Sequence, residues 1–175
     1  RSKGMKKKFT RRTSPEDYST LLYNNIDIAT TFYAPVAEGY NYGGEIILSA
    51  PNYDNLICGM HAGYNIDLAG LYNVMVGNNA GQTNTGGGSN TFLGYSAGLS
   101  NNTTSNNTFI GYSSGFNNSA EENTFVGSQS GFANSTGIGN AFLGFKSGFS
   151  NTASYNTFSG YECGIANNSG QYNAF

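Results

Sequence analysis

Apolar and polar positions along the chain recur with a period of about 17 residues, the size of one supersecondary unit in a repeat protein. Aligned on a leading Asn, copies of one short text begin at Asn55, Asn73, Asn90, Asn107, Asn123, Asn140, Asn156 and Asn173. The spacing holds to within one position from copy to copy. Five cores are clear: "NTFLGYSAGL", "NTFIGYSSGF", "NTFVGSQSGF", "NAFLGFKSGF" and "NTFSGYECGI". Two, "NLICGMHAGY" and "NVMVGNNAGQ", are degenerate, and the last copy stops at Phe175. So regular a period marks a repeat architecture, in which each unit buries its apolar side against its neighbours.

The columns say which elements fill the period. One is apolar and mostly aromatic: Ile57, Met75, Phe92, Phe109, Phe125, Phe142 and Phe158. The next holds Cys58, Val76, Leu93, Ile110, Val126, Leu143 and Ser159. Two further columns, four positions apart, are Gly in every copy, and a second Asn column runs from Asn84 through Asn101, Asn118, Asn134 and Asn151 to Asn167. The period is too short for a helical hairpin, and two Gly per unit weaken any helix. Two strands of four or five residues and two tight turns fit it, with Gly and Asn supplying the positive φ that turns require. Stacked coils then set like residues about 4.8 Å apart, where Asn amides would pair up the stack. The predicted fold is all-β: a parallel β-solenoid, or β-roll, over residues 55–175.

Phe92 and Leu93 are adjacent, so in a strand they face opposite ways. Both columns are apolar in nearly every copy, whereas a strand with one wet face alternates. The pattern therefore predicts that both faces are covered, one by the coil interior and the other by another chain. The apolar burial of one thin coil also falls short of the entropy lost in ordering its backbone, which again favours an oligomer. Phe92, Leu93, Phe109, Ile110, Phe125, Val126, Phe142, Leu143 and Phe158 are the candidate core and interface residues.

At these rungs a family resemblance enters. Asn-Thr-Phe-Leu-Gly resembles the Asn-Ser-Val-Ala-Ile-Gly rungs of YadA-like head domains in trimeric autotransporter adhesins, and is similar to the "NTFLGYxAG" repeats of surface and tail-fibre proteins. The resemblance covers about residues 55–175. It implies a left-handed β-roll, three chains wound about one axis, and a role in adhesion or as a fibre shaft. The family's head repeat is shorter and carries small aliphatics where this chain has Phe.

Composition agrees with a fibre: charged residues are 10%, against about 25% in ordinary domains. Charge is divided along the chain, because "RSKGMKKKFTRR" holds seven of the eight basic residues. Residues 1–17 read as a basic, disordered arm whose Lys6, Lys7, Lys8, Arg11 and Arg12 are candidate anchors on an acidic partner. No apolar stretch follows these charges as in a secretory signal, and no apolar run is long enough to predict a membrane span. Residues 18–54, with "YSTLLYNNIDIATTFYAP" and "GEIILSAPNY" broken by Pro and Gly, read as short strands that cap the first coil or dock the shaft.

Candidate chemistry changes this picture little. Cys58 and Cys163 lie six coils apart, roughly 29 Å at solenoid spacing, too far for a disulfide, and read as small buried hydrophobes. His61 is the only His, and the text around it suggests no acid–base role. The repeats lack the Asp of calcium-binding nonapeptides and a phosphate loop; no cofactor and no catalytic residue is expected. Tyr95, Tyr112 and Tyr161, with Phe145 in the same slot, are candidate glycan contacts beside the Asn columns. Asn-x-Ser/Thr sequons fall at Asn101, Asn102, Asn106, Asn117, Asn134 and Asn167, as an Asn/Ser/Thr-rich text produces by chance.

The lead reading is a non-enzymatic β-solenoid shaft, self-associated and most simply trimeric. It would belong to a phage or virus fibre or particle, or to a bacterial surface fibre, and so to the cell exterior or a virion, with a host glycan or receptor as a further partner. The alternative is a glycan-binding module using the Tyr/Asn flank. Ice binding through the Thr91, Thr108, Thr124 and Thr157 column ranks below both.

Overall fold

The computed structural model describes residues 54–175, together with the backbone of 40–42 and 45–49. Among the described residues nine strands form one sheet in chain order. β1 (Tyr40–Tyr42) and β2 (Glu45–Ser49) pair antiparallel, and β2 pairs antiparallel with β3 (Leu56–Cys58), Leu48 opposite Cys58 and Ser49 opposite Ile57. From β3 onward every pairing is parallel. β4 is Val74–Val76, β5 Thr91–Leu93, β6 Thr108–Ile110, β7 Thr124–Val126, β8 Ala141–Leu143 and β9 Thr157–Ser159. Register is strict, with Phe92 on Phe109, Phe109 on Phe125, Phe125 on Phe142 and Phe142 on Phe158. This is the β-solenoid expected from the columns, with one coil to each repeat of the sequence.

Each coil carries one three-residue strand, not two of four or five. The rest of the period is turn because the Gly-to-Gly segment is locked by positive φ. In the third repeat Gly94 has φ 140°, Ser96 53° and Gly98 59°, and none of these belongs to an extended strand. Two consecutive turns close there, with Ala97 N–H donating to Gly94 C=O at 3.3 Å and Asn101 N–H to Gly98 C=O at 3.0 Å. Turn residues still join the stack from coil to coil: Gly98 N–H donates to Ser114 C=O and Ser100 N–H to Phe116 C=O, both at 2.9 Å. Backbone hydrogen bonding thus continues where the extended conformation does not.

The core is a single file of rings. Phe92, Phe109, Phe125 and Phe158 are fully buried and Phe142 nearly so. Successive rings stack with centroids 5.1, 4.9, 4.8 and 5.0 Å apart. Beside them lie Ala62, Ala80, Ala97, Ser114, Ser130 and Ser147, also buried. Ser114 Oγ donates to Phe125 C=O at 3.0 Å and Ser147 Oγ to Phe158 C=O at 3.1 Å, so these hydroxyls are satisfied. A third file, Phe116, Phe132 and Phe149, is half-buried and stacked at 5.0 Å.

The two Asn columns fasten the coils differently. In the leading column each Oδ1 accepts the backbone N–H of the next Asn, from Asn73 on Asn55 at 2.7 Å to Asn173 on Asn156 at 3.0 Å. Its amide nitrogens reach across the coil, as Asn123 Nδ2 does to Gly137 C=O at 2.9 Å. Only the second column pairs amide to amide from coil to coil in an unbroken series: Asn118 Nδ2 donates to Asn101 Oδ1, Asn134 to Asn118, Asn151 to Asn134 and Asn167 to Asn151, at 3.3, 2.8, 3.2 and 2.8 Å.

Candidate functional surface

The Phe-lined interior leaves the opposite side of each strand facing outward. There the Thr91 column and the Leu93 column run side by side along the sheet, at positions that alternate with Phe92. The Leu93 column is not covered within the chain. Leu93 is 44% and Leu143 55% exposed, and Cys58, Val76, Ile110 and Val126 are half-buried. Within the single chain, then, only one of the two apolar faces is covered, and the other is the face expected to meet another chain. No element of the described residues lies over this side. The described acids and the one described cation, Lys146, fall outside both columns.

Past the Gly94 column the chain bends, and Tyr95 begins a third outward file. Tyr95, Tyr112 and Tyr161 are exposed. Their rings are not presented singly. Tyr95 stacks on Tyr112 at 5.5 Å and 9°, and Phe145 on Tyr161 at 5.3 Å and 18°. Each ring therefore has one face taken by its partner, and sugar stacking uses the face that is left. The file breaks between the pairs, where Ser128 holds the equivalent position and is half-buried. Lys146 Nζ stands 5.2 Å from the Phe145 ring centroid, within cation–π range. Ser128 and Lys146 are not among the residues that the sequence singles out. The signal is in the column itself, which reads Tyr, Tyr, Ser, Phe, Tyr over five successive repeats.

Tyr161 carries the shifted titration among the described residues. Its phenol is held above the usual range first by the negative charge of Glu162, then by donating a hydrogen bond to that carboxylate, and last by slight desolvation.

Other candidates are placed as follows. His61 is half-buried and meets the Tyr64 ring edge-on at 5.5 Å. Cys58 and Cys163 are half-buried rather than buried, and Cys163 Sγ lies 3.7 Å from Phe175 C=O. Of the sequon residues, Asn101 and Asn134 are buried in the amide ladder, Asn167 is half-buried at its end, and Asn102, Asn106 and Asn117 are exposed. Among the described residues no group of His, Cys, Asp and Glu is arranged to hold a metal ion, and no helix is long and apolar enough to cross a membrane. Lys6, Lys7, Lys8, Arg11 and Arg12 lie outside the described residues, as does most of 18–54. Compared with family models, with curated proteins and with solved structures, the chain matches none.

Proposed function

We propose that this chain is a shaft segment of a fibre or adhesive appendage, non-enzymatic and built from several copies of itself. The observation that carries the reading is the outward Leu93 column: uncharged, in register, and exposed or half-buried from Cys58 to Leu143. A soluble monomer rarely leaves so continuous an apolar strip uncovered, and a second copy supplies a strip of the same pitch. Three copies about one axis is the arrangement that the resemblance implies. A position outside the cell or on a virion fits the same reading, as does an acidic partner for the basic arm.

Light scattering behind a sizing column tests it. The expected mass is three chains per particle, falling to one in Leu93→Asp/Leu143→Asp with the β signal retained in circular dichroism. A stable monomer in the unaltered chain overturns the proposal.

A glycan-binding module is the second reading, and the exposed Tyr file favours it. Because that file is stacked in pairs, the reading narrows to the gap between the two pairs, where two unstacked faces are turned toward each other.

A further inference from the structure

We propose that the break at Ser128 is a binding slot for a single pyranose ring of a glycan, walled by Tyr112 and Phe145. Four observations converge on it. The file on either side is aromatic and self-stacked, so Tyr112 is backed by Tyr95 and Phe145 by Tyr161. Each wall therefore has one face taken and one face directed along the file toward Ser128. Both walls are accessible, with Tyr112 54% and Phe145 39% exposed. The residue between them is small and carries a hydroxyl.

The spacing admits one ring, and the polar margins select its chemistry. Tyr112 and Phe145 are two coils apart, and the ring steps over the same two coils of the Phe core are 4.9 and 4.8 Å. Two strand spacings set the walls roughly 10 Å apart. A planar ring fills such a step, as Phe125 does between Phe109 and Phe142, and a six-membered sugar ring fits it as well. A chair-shaped six-membered ring is thicker and presents C–H groups on both faces, which suit the negative faces of two aromatic rings. Its hydroxyls point outward around the rim, where the polar groups stand: Ser128 in the floor, Gln129 next to it in the chain, and the Lys146 ammonium against the Phe145 wall at 5.2 Å. A slot with aromatic walls and polar margins matches a sugar better than a purely apolar side chain.

This inference does not depend on how many copies assemble. It places a binding function on the flank of the shaft, beside the self-association strip rather than on it.

Saturation-transfer NMR on the full chain tests it, with methyl glycosides of glucose, galactose, N-acetylglucosamine and glucuronic acid as probes. The expected result is transfer to the ring protons of at least one of them. Ser128→Tyr should fill the slot and weaken binding at least tenfold, while extending the stack and leaving thermal stability no lower. Tyr112→Ala and Phe145→Ala should each weaken binding about tenfold. Tyr95→Ala, which lies outside the slot, should change it less than threefold. No transfer to any probe overturns the proposal, and so does binding that survives Ser128→Tyr. A drop in particle mass in Ser128→Tyr also overturns it, because the slot would then receive a side chain of a neighbouring copy.

Discussion

The Phe92 ring lies against the α-carbon of Gly98: a Cβ added there would stand 2.8 Å from the ring carbons. The relation repeats one coil on, where a Cβ at Gly115 would come within 2.6 Å of Phe109. These Gly are thus required twice, for left-handed φ of 59° and 58° and for the space that the ring occupies. The other Gly column is required for a different reason. A Cβ on Gly111, at φ 132°, would sit 2.6 Å from the Gly127 carbonyl of the next coil, whereas one on Gly160, at φ 142°, meets nothing nearer than Cys163 Cβ at 3.8 Å. Gly160→Ala is therefore expected to cost only the backbone strain, about 1–3 kcal/mol. Gly111→Ala should cost about 1–3 kcal/mol more for the overlap. Urea midpoints of the two variants compare them, and equal losses would show that the coil-to-coil approach is not what excludes a side chain.

The second Asn column makes a graded prediction. Asn118 is saturated: its Nδ2 donates to Asn101 Oδ1 at 3.3 Å and Ala120 C=O at 2.5 Å, and its Oδ1 accepts from Asn123 and Asn134 at 3.2 and 2.8 Å. Asn84 is equally buried, yet its Nδ2 has no partner, and its Oδ1 accepts Gly87 N–H at 2.9 Å. The cause lies one coil earlier. Ile66 holds the matching position, its N–H donating to Gly63 C=O as Asn84 N–H does to Gly81 C=O, and an aliphatic chain has no acceptor to offer. Asn118→Ala strands several buried groups and should cost about 3 kcal/mol or more, whereas Asn84→Ala strands only the Gly87 N–H and should cost about 1–2 kcal/mol. Equal losses in chemical denaturation would mean that the amide ladder contributes little beyond packing. Ile66→Asn should raise the cost of Asn84→Ala by giving that Nδ2 an acceptor.

Tyr161 and Glu162 set a pH dependence at the end of the aromatic file. The neutral phenol donates to the carboxylate, and ionising it would bring two negative charges together, so its folded value lies above the unfolded one. The stability it contributes is whole below about pH 10 and is lost as pH rises through the raised folded value. Glu162→Gln should return the phenol to its ordinary titration, visible as an earlier rise in tyrosinate absorbance. An unchanged titration curve in that variant would remove Glu162 as the cause.

Phe92, Leu93 and Gly98 show how much is legible beforehand. A column that is aromatic in five copies can only be core, and Gly in every copy can only mark special backbone, so the period, the parallel stack and the core file are readable. The strand count is not, because the same period accommodates one strand or two. The choice is made by left-handed residues such as Ser96, Gln129 and Lys146 (φ 53°, 58° and 53°), whose side chains do not announce that conformation. The outward side of Leu93 is legible as well, but what covers it is not. Alternation reports which side a residue takes, not whether anything covers it. The two Asn columns also look alike in sequence, and only register separates an Oδ1 that meets a backbone N–H from one that meets another amide. The slot at Ser128 is legible as a letter missing from a column. Its meaning requires knowing that the Tyr rings stack on one another.

The first coil offers the last prediction. A parallel stack exposes the N–H and C=O groups of its outermost strand, and such an edge templates pairing with other chains. Here β2 lies on β3 in the opposite sense, Leu48 against Cys58 and Ser49 against Ile57, and β1 lies on β2. An antiparallel strand satisfies the β3 edge but breaks the register of the coils, so it cannot be mistaken for another repeat. Deleting residues 1–53 should uncover β3 while leaving the later coils folded, since each coil touches only its neighbours. Amide exchange should quicken at Leu56–Cys58 and hold steady at Thr108–Ile110. Particles at high concentration should lengthen along the solenoid axis in electron micrographs. If exchange at Ile57 is unchanged and the particles stay short, the antiparallel pair is not what protects that edge.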